Sequence, residues 1–330
     1  MTQAYGVVVI GRNEGQRLID CLGSLGSNSV VYVDSGSTDD SVAQSRQLGV
    51  DVVQLDMSMP FTAARARNVG MAALLSRYPE LEFVQFVDGD CRVNREWLHY
   101  AQQKLEQGMT LAAVCGRRRE INRNASIYNL LCDIEWDTPV GEADACGGDA
   151  MYRVKALREV GGFNEEFIAG EEPELCYRLR AAGWRIMRID HEMTQHDAAM
   201  HSFRQWWKRC QRSGYAYALG ALEHGDDSAE PYKMKSCFSV LLWGGFVPLC
   251  GAMFAVIEPA TAVIGLFAAY AYLWSKIYRR SHKRHSEFSR KDIVIYAGFV
   301  VLQKFPELVG LLQCGWQYMM GRKASIIEYK

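Results

Sequence analysis

The sequence predicts an α/β protein: a Rossmann-like, mostly parallel central sheet followed by C-terminal hydrophobic helices. Three observations carry this expectation. Short β-branched runs alternate with segments of helical spacing through the first half of the chain. Clusters of Gly, Asp and Ser break those runs at what would be the carboxyl ends of strands. From about residue 236, two long stretches carry almost no charge.

The elements follow in order. Tyr5 to Ile10 is a strand-like run broken by Gly11-Arg12-Asn13-Glu14-Gly15, and Leu18, Ile19, Leu22 and Leu25 repeat at helical spacing. Val30 to Val33 is a second strand, closed by Asp34-Ser35-Gly36-Ser37-Thr38-Asp39, with a short helix over Val42 to Leu48. Val52 to Leu55, a helix from Ala63 to Leu75, and Phe83 to Val87 continue the alternation as far as Asp88-Gly89-Asp90. Such βαβ repetition implies parallel pairing, with ligands bound beyond the carboxyl ends of the strands. Further on, Ala112 to Cys115 and Arg185 to Ile189 read as strands. Ser126 to Ile134, Glu171 to Ala182 and His201 to Leu222 read as helices, with Gly183 a fitting residue just past the second.

With 330 residues, the chain has room for one large domain plus an appendage. A formal charge of −1 argues against a nucleic-acid partner. Ten scattered cysteines without metal-finger spacing suggest reduced core residues in the cytosol. The N-terminus lacks the charge and apolar pattern of a cleaved signal peptide.

Four clusters carry chemistry. Asp88-Gly89-Asp90 sets two carboxylates one residue apart on a tight turn, where they can address a divalent cation and a ribose. The plain alternative is an ordinary Asp-Gly turn. Asp34, with Ser35, ends a strand and can accept hydrogen bonds from a base or ribose, while Ser37, Thr38 and Asp39 suit a helix start. Arg65 and Arg67, near Asn68, either face solvent or approach phosphates. Gly147-Gly148-Asp149 and Gly161-Gly162 precede Gly170-Glu171-Glu172-Pro173-Glu174-Leu175. That carboxylate pair either serves the helix dipole or supplies a base for an acceptor hydroxyl.

In order and spacing, these motifs resemble family-2 glycosyltransferases of the GT-A fold. The likeness runs from Val9-Ile10-Gly11-Arg12-Asn13-Glu14 to the Glu171-Glu172 pair and covers about residues 4 to 225. It implies an inverting, metal-dependent transfer from a nucleotide-sugar donor, a UDP-sugar favoured, to a hydroxyl of a glycan or lipid-linked glycan. The implied setting is cell-surface polysaccharide or glycolipid biosynthesis. Arg12, Glu14, Asp34, Ser35, Arg65, Asn68, Asp88, Gly89 and Asp90 would hold the donor. Asp88 and Asp90, with His196, would hold Mn2+ or Mg2+, and Gly147, Gly148 and Asp149 would face the acceptor. The family's usual Glu-Asp pair is Glu171-Glu172 here, so Glu172 takes the place of the base and Glu171 orients. Gln205-Trp206-Trp207-Lys208-Arg209 lacks the final Trp of the processive synthase signature, which points to one sugar per encounter.

Two other readings compete. A nucleotide-dependent oxidoreductase would need Gly-x-Gly-x-x-Gly after the first strand, and Gly11 and Gly15 do not supply it. A catalytically inactive nucleotide-sugar-binding or scaffold protein would not need the acidic motifs. The expected catalytic domain is 1–225, with a membrane-associated helical region over 226–330. In that region, 236–257 and 259–275 form a hairpin, and 293–320 is a third apolar segment interrupted by Lys304-Phe305-Pro306-Glu307. The basic run from Lys276 to Lys291 then places the catalytic domain at the cytoplasmic face of the inner membrane. An interfacial or homodimer-forming helix pair, or buried helices of a larger soluble core, are the alternatives to a membrane hairpin.

Overall fold

The computed structural model describes residues 4–26, 29–225 and 231–321. By the contacts of its described residues, the chain divides into two compact units. One comprises Met1–Arg123 with Glu135–Ala198, the other Asn124–Ile134 with Ala199–Lys330.

The first unit is built on one nine-stranded sheet. Its strands are β1 (Tyr5–Gly11), β2 (Val30–Asp34), β3 (Asp51–Gln54), β4 (Phe83–Asp88), β5 (Cys91–Val93), β6 (Leu111–Glu120), β7 (Gly141–Glu142), β8 (Met151–Arg153) and β9 (Arg185–His196). The spatial order is β3-β2-β1-β4-β8-β6-β9-β5, with β7 also pairing β9. The strands β3, β2, β1 and β4 run parallel, as continuous apolar runs linked by helices require. The other half is mixed: β8 runs antiparallel to both β4 and β6, whereas β6 and β9 are parallel. The helices of this unit are α1 (Gln16–Ser24), α2 (Ser41–Gln47), α3 (Ala63–Arg77), α4 (Trp97–Gln107), α6 (Val154–Glu159) and α7 (Glu171–Ala181), while most of α5 (Ile127–Trp136) belongs to the second unit. Thr62 caps α3, its hydroxyl accepting the Arg65 N–H at 3.1 Å. Gly70 lets α3 lie against β1, since a Cβ there would stand 2.3 Å from Val8. That close approach sets the distance of the α3 start from the ends of β1 and β4.

The second unit holds α8 (Phe203–His224), α9 (Met234–Val240), a π-helical turn (Leu241–Phe246), α10 (Val247–Ala255), α11 (Pro259–Arg284), α12 (Arg290–Leu302) and α13 (Lys304–Met319). A full capping box, Ser202 with Gln205, starts α8, and Ser289 with Asp292 starts α12. α8 and α13 pack through glycines: a Cβ on Gly214 would meet the Glu307 carbonyl at 1.9 Å, and one on Gly310 the Gln211 carbonyl at 1.9 Å. Small residues at crossing points are how apolar helices approach closely.

Among the described residues, three helices are long and apolar enough to cross a membrane: Met234–Ala255, Pro259–Arg284 and Arg290–Met319. The third runs through the expected interruption with only one turn residue, Gln303. Its two charges cancel locally, because Lys304 Nζ donates to the buried Glu307 carboxylate at 2.8 Å. Full-length protein is therefore expected to stay in the membrane pellet after alkaline carbonate washing and to need detergent for release. Quantitative recovery in the carbonate supernatant would contradict this.

Candidate active site

The site assembles where β1, β2 and β4 end. β1 stops at Gly11 beside Asp34, the last residue of β2. Asp34 is buried and internally satisfied. Its Oδ2 accepts the Gly36 and Ser37 N–H groups at 3.1 and 3.0 Å, and its Oδ1 accepts the Tyr32 hydroxyl at 3.0 Å. Asn13, in the left-handed region at φ 56°, accepts the Thr38 N–H on Oδ1 at 2.7 Å. Gly15 donates to Asp39 Oδ2 at 3.1 Å. The loops after β1 and β2 are thus stitched into one wall. On it, Arg12 is exposed with its guanidinium 4.6 Å from the Phe61 ring centroid. Glu14 pairs with Arg17 at 2.7 Å, and the buried Ser35 donates its N–H to the Gly11 carbonyl at 3.0 Å.

Of the two helix-start arginines, Arg67 reaches the carboxylates. Its Nη2 donates to Asp88 Oδ1 at 2.9 Å and its Nη1 to Glu171 Oε1 at 2.8 Å. Burial alone would lower its pKa, but the two carboxylates outweigh that and raise it, so the guanidinium stays charged. Arg65 turns the other way and donates to the carbonyls of Asp56, Met59 and Pro60, fixing the loop before α3. Asn68 holds the glycine-pair loop: its Nδ2 donates to the Phe163 carbonyl at 2.8 Å, and its Oδ1 accepts the Phe163 N–H at 2.9 Å.

Asp90 and His196 meet because β5 pairs with the end of β9, setting Cys91 opposite His196. His196 Nε2 lies 3.2 Å from Asp90 Oδ1, while its Nδ1 is buried without a hydrogen-bond partner. Single ligand atoms of Asp90, Cys91 and His196 all fall within 4.8 Å of one another. Asp88, on the other side of Gly89, keeps its side chain 29% exposed. Carboxylates at Asp88 and Asp90, an imidazole with one unused nitrogen and the adjacent Cys91 thiol are a donor set for a divalent cation.

Asp149 lies beneath this turn, fully buried. Its Oδ2 accepts the Thr194 hydroxyl at 2.8 Å and pairs with Arg118 Nε at 2.9 Å. Burial would raise its carboxyl, but Arg118 and His196 hold it below the usual range. Gly147, at φ 84°, and Gly148 run along the same floor. A Cβ on Gly147 would meet Arg118 Nη2 at 2.9 Å, and one on Gly148 would meet Asp88 Oδ2 at 2.8 Å. Only glycine lets the backbone pass so close to both ion pairs.

At the start of α7 the two glutamates separate. Glu171 faces Arg67, whereas Glu172 is 4% exposed. Glu172 Oε1 accepts the Cys146 N–H at 2.6 Å and the Cys176 thiol at 2.8 Å. Burial pushes its carboxyl up, only partly offset by these hydrogen bonds. Glu172 therefore sits directly under the loop that carries Gly147 and Gly148.

Two family models match the chain in succession: "Glycosyl transferase family 2" over residues 6–161 and "Glycosyl transferase family group 2" over residues 143–278. The chain belongs to the family-2 glycosyltransferases. The pre-mycofactocin glycosyltransferase of Mycobacterium tuberculosis is 28% identical over 244 residues, covering 68% of this chain and 48% of that protein. The chain thus spans about half the length of these relatives. A succinoglycan biosynthesis protein of Rhizobium meliloti, ExoA, is 43% identical over 51 residues, 16% of each chain. The fold resembles that of a Pyrobaculum calidifontis mannosyltransferase solved with GDP-Man and Mn2+, with TM-score 0.59 and 16% identity over 95% of this chain and 87% of that one. Residues 1–349 of Staphylococcus aureus TarS match with TM-score 0.51 and 18% identity over 96% and 92%. These likenesses show the GT-A fold.

In this family-2 glycosyltransferase, several site residues escape a motif reading. Arg118 follows an apolar strand and looks like a surface charge, and Thr194 is a polar residue in a polar stretch. Trp136 has its ring centroid 4.7 Å from that of His196 and lies under the Arg118 guanidinium at 5.4 Å. The one available signal was three consecutive arginines, Arg117 to Arg119, emerging from a buried strand. Arg67→Met, which deletes the cation between Asp88 and Glu171, is expected to destabilise the protein by about 3–5 kcal/mol. Arg67→Lys should recover little, because one ammonium cannot serve two carboxylates in fork geometry. Thermal unfolding checks this; a wild-type melting temperature in both variants would refute it.

Proposed function

We propose that the chain transfers a sugar from a nucleotide-sugar donor, a UDP-sugar favoured, to a hydroxyl of a glycan or lipid-linked glycan acceptor, with inversion at the anomeric carbon. The observation that supports this best is the convergence of Asp88, Asp90 and His196 at the end of β4 with the Glu171-Glu172 pair at the start of α7. The neighbour solved with GDP-Man and Mn2+ is a sugar transferase of the same fold, in keeping with this reading.

In the proposed reaction, the wall formed by the loops after β1 and β2 receives the nucleoside, with Asp34 and Ser35 at its base. Asp88, Asp90 and His196 are the residues that would hold Mn2+ or Mg2+. When bound, such a cation offsets the charge growing on the diphosphate leaving group. The acceptor hydroxyl oxygen attacks the anomeric carbon as the bond from that carbon to the diphosphate oxygen breaks. Its proton passes to Glu172, whose carboxyl pKa is raised above its ordinary value by burial, making it a stronger base. Gly147 and Gly148 give the acceptor its approach, Asp149 and Arg118 support that floor, and Glu171 is held off the reacting centre by Arg67. The apolar helices keep the unit at the cytoplasmic face of the membrane, where a lipid-linked acceptor is within reach.

Excess EDTA and Asp90→Ala should each nearly abolish transfer and weaken nucleotide binding, measured by donor turnover and calorimetry. Full activity in EDTA would remove the metal. Glu172→Gln keeps size but cannot accept a proton, and is expected to cut kcat by roughly 10²-fold while donor binding survives. Near-wild-type turnover in Glu172→Gln, alongside a dead Glu171→Gln, would reverse the two roles.

A further inference from the structure

Behind the proposed base lies a second donor cluster of different chemistry. Cys146 precedes the glycine pair, Cys176 sits one helical turn after Glu172 on α7, and Cys115 is in β6. Single ligand atoms of Cys146, Glu172 and Cys176 all fall within 4.8 Å of one another. The buried Cys115 and Cys176 thiols are close enough to Cys146 to push its thiol well above the usual range. Two sulfurs and a carboxylate oxygen thus come from a loop and a helix to one point, with the buried Cys115 of β6 nearby.

We propose that Cys146, Cys176 and Glu172, with Cys115 as fourth donor, form a site for a thiophilic divalent cation of the Zn2+ class. The argument is one of number, geometry and hardness. Structural zinc takes four ligands in a tetrahedron, with sulfur at about 2.3 Å and carboxylate oxygen at about 2.0–2.2 Å. Ligand atoms at such distances stand roughly 3.5–4 Å apart, so the three ligand atoms of Cys146, Glu172 and Cys176, already within 4.8 Å of one another, are near the required spacing. Thiolates select Zn2+ against Mg2+ and Mn2+, which prefer the oxygen donors at Asp88 and Asp90. The cluster behind Glu172 would therefore hold a thiophilic cation more tightly than the Asp88–Asp90 turn, which offers a single thiol, Cys91. Cys115 and Cys176 are buried, and the half-buried Cys146 gives the cation its entry. Binding is balanced by release of protons, one from each thiol that becomes a ligand.

The site stands on its own geometry; its effect on turnover rests on the reading of Glu172 as base. A carboxylate held by zinc cannot accept the acceptor's proton, so an occupied site should stop transfer.

The test uses full-length protein in detergent, stripped of metal and kept reduced. Co2+ titration should produce a thiolate-to-cobalt charge-transfer band that saturates at one equivalent and is bleached by Zn2+. The band should persist in Asp90→Ala, which spares the thiols. It should be lost in Cys146→Ser, a half-buried loop position where folding is checked by melting temperature, and in Cys176→Ser. No band in the wild type, or a band retained in both serine variants, overturns the proposal. A band lost in Asp90→Ala also overturns it, since the thiol would then be Cys91. A band present while Zn2+ leaves transfer unchanged supports the site and counts against Glu172 as the base.

Discussion

The charge on Arg67 is the constraint on which the site depends. Asp88 ends β4 and Glu171 begins α7, so two separate elements deliver carboxylates to the same small volume. Like charges about 4 Å apart repel by about 4 kcal/mol at the effective dielectric of a protein surface. One buried guanidinium between them turns that repulsion into two charge-assisted hydrogen bonds. Beneath the turn, Arg118 neutralises Asp149 in a single ion pair. The acids of this site are thus arranged around two fixed cations rather than merely gathered.

That arrangement separates the carboxylates by task. Asp34 and Asp149 are fully engaged with protein donors, Tyr32, Gly36 and Ser37 for the first, Thr194 and Arg118 for the second. They shape the walls. Asp88 keeps part of its surface open, and Glu172 carries a raised pKa in a pocket of thiols. The glycines follow from the same logic: Gly147 and Gly148 run where any side chain would collide with Arg118 or with the Arg67–Asp88 pair.

The parallel half of the sheet was legible because its strands are continuous apolar runs closed by turn residues. Gly183 past α7 and the C-terminal apolar runs were legible for equally local reasons. The three-residue β5 and two-residue β7 were not, because each exists only as a partner of β9. Pairing with β6 carries β9 past Ile189, through Asp190, His191 and Glu192, to His196, where side-chain preference alone would end it. Nor does the sequence separate Arg65 from Arg67. Two residues apart on a helix, they point about 200° from each other, and only the position of α3 against β1 decides which one meets the acids. The same holds for Glu171 and Glu172, whose directions are set by Arg67 and by the Cys146 amide.

The long strand β9 turns this into a statement about evolution of the site. Thr194 and His196 are buried on one face, and Gln195 between them is exposed. A strand alternates its side chains, so sliding β9 by a single residue would present Gln195 and withdraw both others at once. A one-residue slip of the Thr194–His196 segment against β5 therefore acts as a two-residue active-site mutation. The bulges opposite β6 between Arg188 and Thr194 are where changes in length can be absorbed, whereas the segment that pairs with β5 has to keep its register.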